Sequence, residues 1–138
     1  MKWVTGIGLL LAVGALSVTI VVAQDKAPDK PIGTRLNAAD LKKFFGHGEV
    51  QEYRSVQGVT GTTTRQPDGT VKLTYKLADG TQGSDVGTWR IHEDRLCQTY
   101  KTLREGKEGC FEHFQVGPNL YHSWNMNGQF TLSYSFRN

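Results

Sequence analysis

Two stretches of strict alternation limit what this chain can fold into more than any other feature. Thr70 to Leu77 places Val71, Leu73, Tyr75 and Leu77 at every second position, with Thr and Lys between them. Gln129 to Phe136 repeats the pattern with Phe130, Leu132, Tyr134 and Phe136. Successive side chains of a strand point to opposite faces, so a period of two predicts strands buried on one face and wet on the other. Turn residues separate the apolar runs: Pro67-Asp68-Gly69, Asp79-Gly80, Glu93-Asp94, Gly106-Lys107, Gly117-Pro118-Asn119 and Asn127-Gly128. Asp-Gly and Asn-Gly favour tight hairpins because these residues tolerate positive φ. The prediction is a mainly β domain, an antiparallel meander of about eight strands. An open sheet of that size would expose two edges and an apolar face, so we expect closure into a small barrel, with a β-sandwich as the alternative. A barrel of about eight strands is either filled by its own side chains or holds one small ligand.

One short helix precedes the strands. Asn37 is a good N-cap, and Asp40 sits in the first turn, where a negative charge suits the helix dipole. Ala38, Leu41, Phe44 and Phe45 share a face by their spacing, and Gly46 can end the helix. So short a helix is unstable alone and must pack its phenylalanines on the sheet, as a cap on one end of the barrel.

The N-terminus speaks for export. Lys2 is followed by an uncharged, apolar run from Val4 to Val22, and then by Ala23. A positive start, an apolar core and a small residue before the cut are the parts of a secretory signal, here residues 1–23. An uncleaved membrane anchor is the competing reading, because about 20 apolar residues cross a bilayer. In either case the domain is expected to be periplasmic or secreted. Residues 24–36, with Pro28 and Pro31 among charged residues, read as a flexible linker. The folded domain is then 37–138.

Cys97 and Cys110 are the two cysteines of the sequence. An even pair in a small exported domain reads as a disulfide between consecutive strands. Two free thiols are the alternative. A metal pair fits less well, because the spacing lacks the close C-x-x-C of zinc sites. Formal net charge is +3, with signs interspersed and no long basic run. That argues against a nucleic-acid partner, which requires a clustered basic face.

Gly87-Thr88-Trp89, then Leu96-Cys97 and Cys110-Phe111-Glu112-His113-Phe114, resembles a family of small exported bacterial proteins of unknown function, best known from alphaproteobacteria. The helix ending in Gly46 and the Pro67-Asp68-Gly69 turn fit the same pattern, which covers most of residues 36–138. The resemblance implies export, a β-rich fold and the Cys97–Cys110 bridge, and it carries no activity. Gly87-Thr88-Trp89 is also similar to the G-x-W of lipocalins and avidins, although there the motif opens the first strand. The likeness implies structural roles for Gly87 and Trp89, the tryptophan plugging a barrel end beside a glycine that lets the chain bend.

Catalytic chemistry finds little support. None of the serines lies in a G-x-S-x-G elbow or an S-x-x-K arrangement. His47, His92, His113 and His122 form no His-x-His pair on one strand face, so no metal or cofactor is expected. Glu112 is the carboxylate to watch, since burial would raise its pKa, but a salt-bridged glutamate is the plainer reading. Tyr121, His122, Trp124 and Asn125 mix aromatic and hydrogen-bonding groups within one strand, which suits a binding rim. The expectation is a non-catalytic exported protein holding a small apolar ligand. The alternative is a protein-binding envelope factor, an inhibitor or accessory subunit, and an enzyme ranks third. Contact with a membrane is expected only through the signal segment, if that is kept.

Overall fold

The computed structural model describes residues 26–138, so the segment read as a signal peptide lies outside the described residues. Nine strands and one α-helix follow in order, with a short 3-10 turn, Leu103–Gly106, between the sixth and seventh strands: β1 Thr34–Arg35, α1 Ala38–Phe44, β2 Val50–Ser55, β3 Thr60–Arg65, β4 Thr70–Lys76, β5 Gln82–His92, β6 Arg95–Tyr100, β7 Gly109–Gly117, β8 Leu120–Asn125 and β9 Phe130–Phe136. Each strand from β2 to β9 pairs antiparallel with the next, and β9 pairs back onto β2, Gln51 opposite Phe136 and Tyr53 opposite Tyr134. The result is a closed, eight-stranded, up-and-down barrel. Closure removes the sheet edges that an open meander would expose.

The turns behave as their residues dictate. Gly69, Gly80 and Gly128 all take positive φ in hairpin turns. Between β5 and β6 the same geometry is imposed on Glu93 and Asp94 (φ 47° and 58°), neither of them a glycine. Asp94 gains a partner in return: its Oδ1 accepts from the backbone N–H of Ala38 at 2.7 Å, tying this turn to the start of α1.

Helix α1 closes one end. Asn37 and Asp40 form a reciprocal capping box, each side chain accepting from the other's backbone N–H. Leu41 and Phe45 are fully buried and belong to one core cluster with Leu36, Tyr53, Leu96, Tyr121 and Tyr134. Tyr121 and Tyr134 stack at 5.2 Å, and Phe45 meets Phe136 edge-on at 5.5 Å. Trp89 packs against the same cluster and donates its indole N–H to the Gln66 carbonyl at 2.9 Å. Gly46 makes room for it: a Cβ there would lie 2.4 Å from the Trp89 ring.

Three sequence expectations need correction. The linker ends sooner than Leu36, because Thr34 and Arg35 pair with Gln115 and Phe114 of β7, and Leu36 is only 3 % exposed. Leu77 is not part of its strand; it stands in the β4–β5 turn, partly exposed. Phe130 leaves the face of Leu132, Tyr134 and Phe136. A bulge opposite Ser123 and Trp124 puts the extra residue Thr131 in β9. The alternation flips there, and Phe130 packs edge-on to His122 (4.9 Å) and Trp124 (5.7 Å).

Cys97 and Cys110 lie directly opposite each other on β6 and β7 and form the disulfide. The bond is compatible with an oxidising compartment.

Candidate functional site

The helix fills only one end of the barrel. Above it lies a cavity of about 650 Å³, open toward the β2–β3, β4–β5, β6–β7 and β8–β9 connections. Its walls come from inward positions of the strands. Leu73, Tyr75, Phe111 and Leu132 supply apolar surface, and Thr63 and Ser123 are small, buried and polar.

Space for the cavity comes from a pairing of large with small. Tyr53 faces Gly61, Tyr75 faces Gly83 and Tyr100 faces Gly87 across neighbouring strands. A Cβ on Gly61 would lie 2.8 Å from the Tyr53 hydroxyl, and one on Gly83 would lie 2.2 Å from that of Tyr75. The side chains of Tyr53 and Tyr75 thus lean across glycines and lie along the wall of the cavity. Gly87 does more than admit a bend, since a Cβ there would collide with the Thr99 carbonyl oxygen.

The floor of the cavity is charged. Arg65, at the end of β3, is only 2 % exposed. Its Nη1 donates to Gln51 Oε1 at 2.7 Å, while Nη2 and Nε both donate to Gln98 Oε1 at 2.7 and 3.0 Å. Its guanidinium lies 4.9 Å over the ring of Phe45. Burial pulls its pKa down, yet a guanidinium stays protonated in proteins. No carboxylate pairs with it among the described residues. Glu49, whose charge reaches it, spends its oxygens on the backbone N–H groups of Gly46 and His47. An unpaired buried charge costs several kcal/mol unless hydrogen bonds offset it. Two neutral glutamines and one aromatic face provide that offset here.

His113 sits beside Arg65, fully inside. Its Nδ1 shares a 2.6 Å hydrogen bond with the Tyr134 hydroxyl, and its Nε2 is buried without a partner. Burial first, and the Arg65 charge second, depress its pKa to about 3, so the ring is neutral. The same burial raises Tyr134 well above its ordinary value and Tyr53 to about 12, keeping both hydroxyls protonated. A second arginine, Arg104, stands higher on the wall, over the rings of Tyr100 (5.3 Å) and Phe111 (5.4 Å). It holds a left-handed backbone (φ 54°), a conformation of some strain for a non-glycine. Asp85 secures this loop by accepting from the N–H groups of Thr102 and Leu103 at 3.0 and 2.8 Å. Those hydrogen bonds hold the Asp85 carboxyl below the usual range.

The four residues read as a rim are not brought together. Tyr121 is buried in the core at the closed end, and Asn125 lines the cavity at its mouth. His122 and Trp124 stand on the face of β8 opposite Ser123 and pack edge-on against Phe130. Trp124 is fully buried there with its indole N–H unpartnered, and burial lowers the pKa of His122. Glu112 is on the outer face, bound by Arg35 at 3.3 Å and Arg95 at 3.5 Å. His92 is exposed beside Glu93, and His47 bonds the Lys42 carbonyl. The only cluster of metal-ligand types among the described residues contains both disulfide cysteines with Glu108, and bonded sulfurs are poor ligands.

Sequence reasoning missed Arg65, Gln51 and Gln98. Thr60-Gly-Thr-Thr-Thr-Arg65 contains no apolar residue to orient it, and a lone arginine is ordinarily assigned to solvent. One signal was available: Arg65 shares its parity with Gly61 and Thr63, and the small residues of a polar strand are the ones that a narrow barrel can turn inward.

Fold and cavity together define a class: an up-and-down barrel plugged at one end by a helix and hollow at the other. Comparison with known protein families, curated sequences and solved structures finds no match to this chain.

Proposed function

We propose that this is an exported, non-catalytic binding protein whose barrel holds one small apolar or amphipathic ligand. The observation that carries the reading is the cavity of about 650 Å³, whose surface is mostly apolar, with polar groups both at its base (Arg65, Gln51, Gln98, His113) and around its mouth (Gln57, Asn125, Gln129). Such volume and lining are those of small-molecule sites, which run to roughly 300–1,000 Å³. The mouth fits the same use: Val56 and Leu77 line it while 46 % and 38 % exposed, and Met126 of the neighbouring turn is 58 % exposed. Export rests on the signal-like residues 1–23 and agrees with the disulfide.

Titration with the uncharged fluorophore N-phenylnaphthylamine tests the reading. One site per chain is expected, with enhanced, blue-shifted emission that Leu73→Trp abolishes by filling the lumen. Absence of binding by the wild-type protein, or binding unaffected by that substitution, overturns it.

A further inference from the structure

Resting on that reading, we infer that the ligand is an anionic amphiphile, bound head-down with a carboxylate on Arg65 and its apolar part toward the mouth. Three observations converge.

The first is charge. Two arginines, Arg65 and Arg104, line the cavity, and among the described residues no aspartate or glutamate does. A cavity lined by charge of one sign selects the opposite sign, most strongly at a charge that is itself buried, as Arg65 is.

The second is unfilled valence. A guanidinium carries five N–H donors in a fixed fork. Hydrogen bonds to Gln51 and Gln98 occupy one donor on Nε, one on Nη1 and one on Nη2. One N–H remains on each terminal nitrogen, and a carboxylate is the acceptor that makes charge-assisted hydrogen bonds to such donors. The unpartnered Nε2 of His113 adds a further buried polar atom at the same floor.

The third is preorganisation. Gln51 and Gln98 grip the fork from two strands, and Phe45 supports it from the helix side. The group is thus fixed before any ligand arrives, so little side-chain freedom is lost on binding. Apolar surface begins directly above, at Leu73 and Leu132. A ligand with a charged head and an aliphatic or aromatic body matches that division. An ammonium head would face two arginines.

Calorimetric titration of the disulfide-intact protein with decanoate, decanol and decylamine tests this. Decanoate is expected to bind at one site at least about tenfold tighter than decanol, the scale of one charge-assisted hydrogen bond, with decylamine weakest. The preference should survive high salt, since buried pairs are poorly screened. Arg65→Gln should reduce decanoate to the level of decanol and leave decanol unchanged; Arg104→Gln should cost decanoate less. The wild-type comparison decides even if Arg65→Gln fails to fold. Decanol binding as tightly as decanoate, or a preference that vanishes in salt, overturns the anion site while leaving the binding cavity in place. If neither ligand binds and N-phenylnaphthylamine does not either, the binding reading itself falls.

Discussion

Lowering the pH should destabilise the barrel well before its carboxylates titrate, and His113 is the reason. Its ring is buried, has a pKa of about 3 in the folded protein, and would titrate near 6.5 when unfolded. Above the unfolded value both states are neutral and the histidine has no effect. As pH falls below 6.5 the unfolded chain takes up a proton that the folded chain refuses, so stability is lost with falling pH, down to about 3. One proton corresponds to about 1.4 kcal/mol per pH unit, which amounts to a loss of about 2 kcal/mol between about pH 7.5 and pH 5. Urea unfolding followed by tryptophan fluorescence across that range measures it. His113→Gln keeps a partner for the Tyr134 hydroxyl and should remove most of the slope. His122, whose pKa is also lowered by burial, contributes in the same direction, and His122→Gln separates its share. Unchanged stability from pH 7.5 to 5, or an equal loss in His113→Gln, would show that the ring is not held neutral by burial.

Two further perturbations follow from the same structure. Replacing both Cys97 and Cys110 by Ala opens a loop of sequence separation 13, and should cost about 3 kcal/mol and lower Tm by roughly 10 °C. A wild-type melting curve indifferent to reductant would refute that contribution. Gly46→Ala must hold φ near +84° and also displace the Trp89 ring, so a loss of about 2–3 kcal/mol is expected in urea unfolding. Gly58→Ala, with similar φ and open space around it, should lose only about 1 kcal/mol, and equal losses would sink the steric account.

Where side-chain chemistry alternates, the fold could be read from the residues. Val71, Leu73 and Tyr75 oriented β4, the Asp-Gly and Asn-Gly turns marked hairpins, and Asn37 with Asp40 marked the start of α1. What stayed hidden depended on partners distant in sequence. Leu36 looked like part of a linker because its burial needs β7, whose His113 carbonyl accepts its N–H at 2.8 Å. Phe130 kept perfect local alternation, yet the bulge at Thr131 arises only from pairing with β8. Arg65 is the clearest case. Its strand carries no apolar signal, and the groups that make its burial tolerable, Gln51 and Gln98, lie 14 and 33 residues away. The candidate site was therefore less legible than the scaffold, because it runs against the rule that charges face water.

The seam between β2 and β9 governs the order in which this barrel can form. Every other pairing among β2 to β9 joins strands consecutive in sequence. At the seam, Arg137 meets Glu52 across 85 residues. Hairpins can therefore assemble early from local contacts, whereas the ring closes in one late, non-local step. Until it does, β2 and β9 are two free edges on the same half-built sheet, and the seam is where an incomplete barrel would recruit another copy of itself.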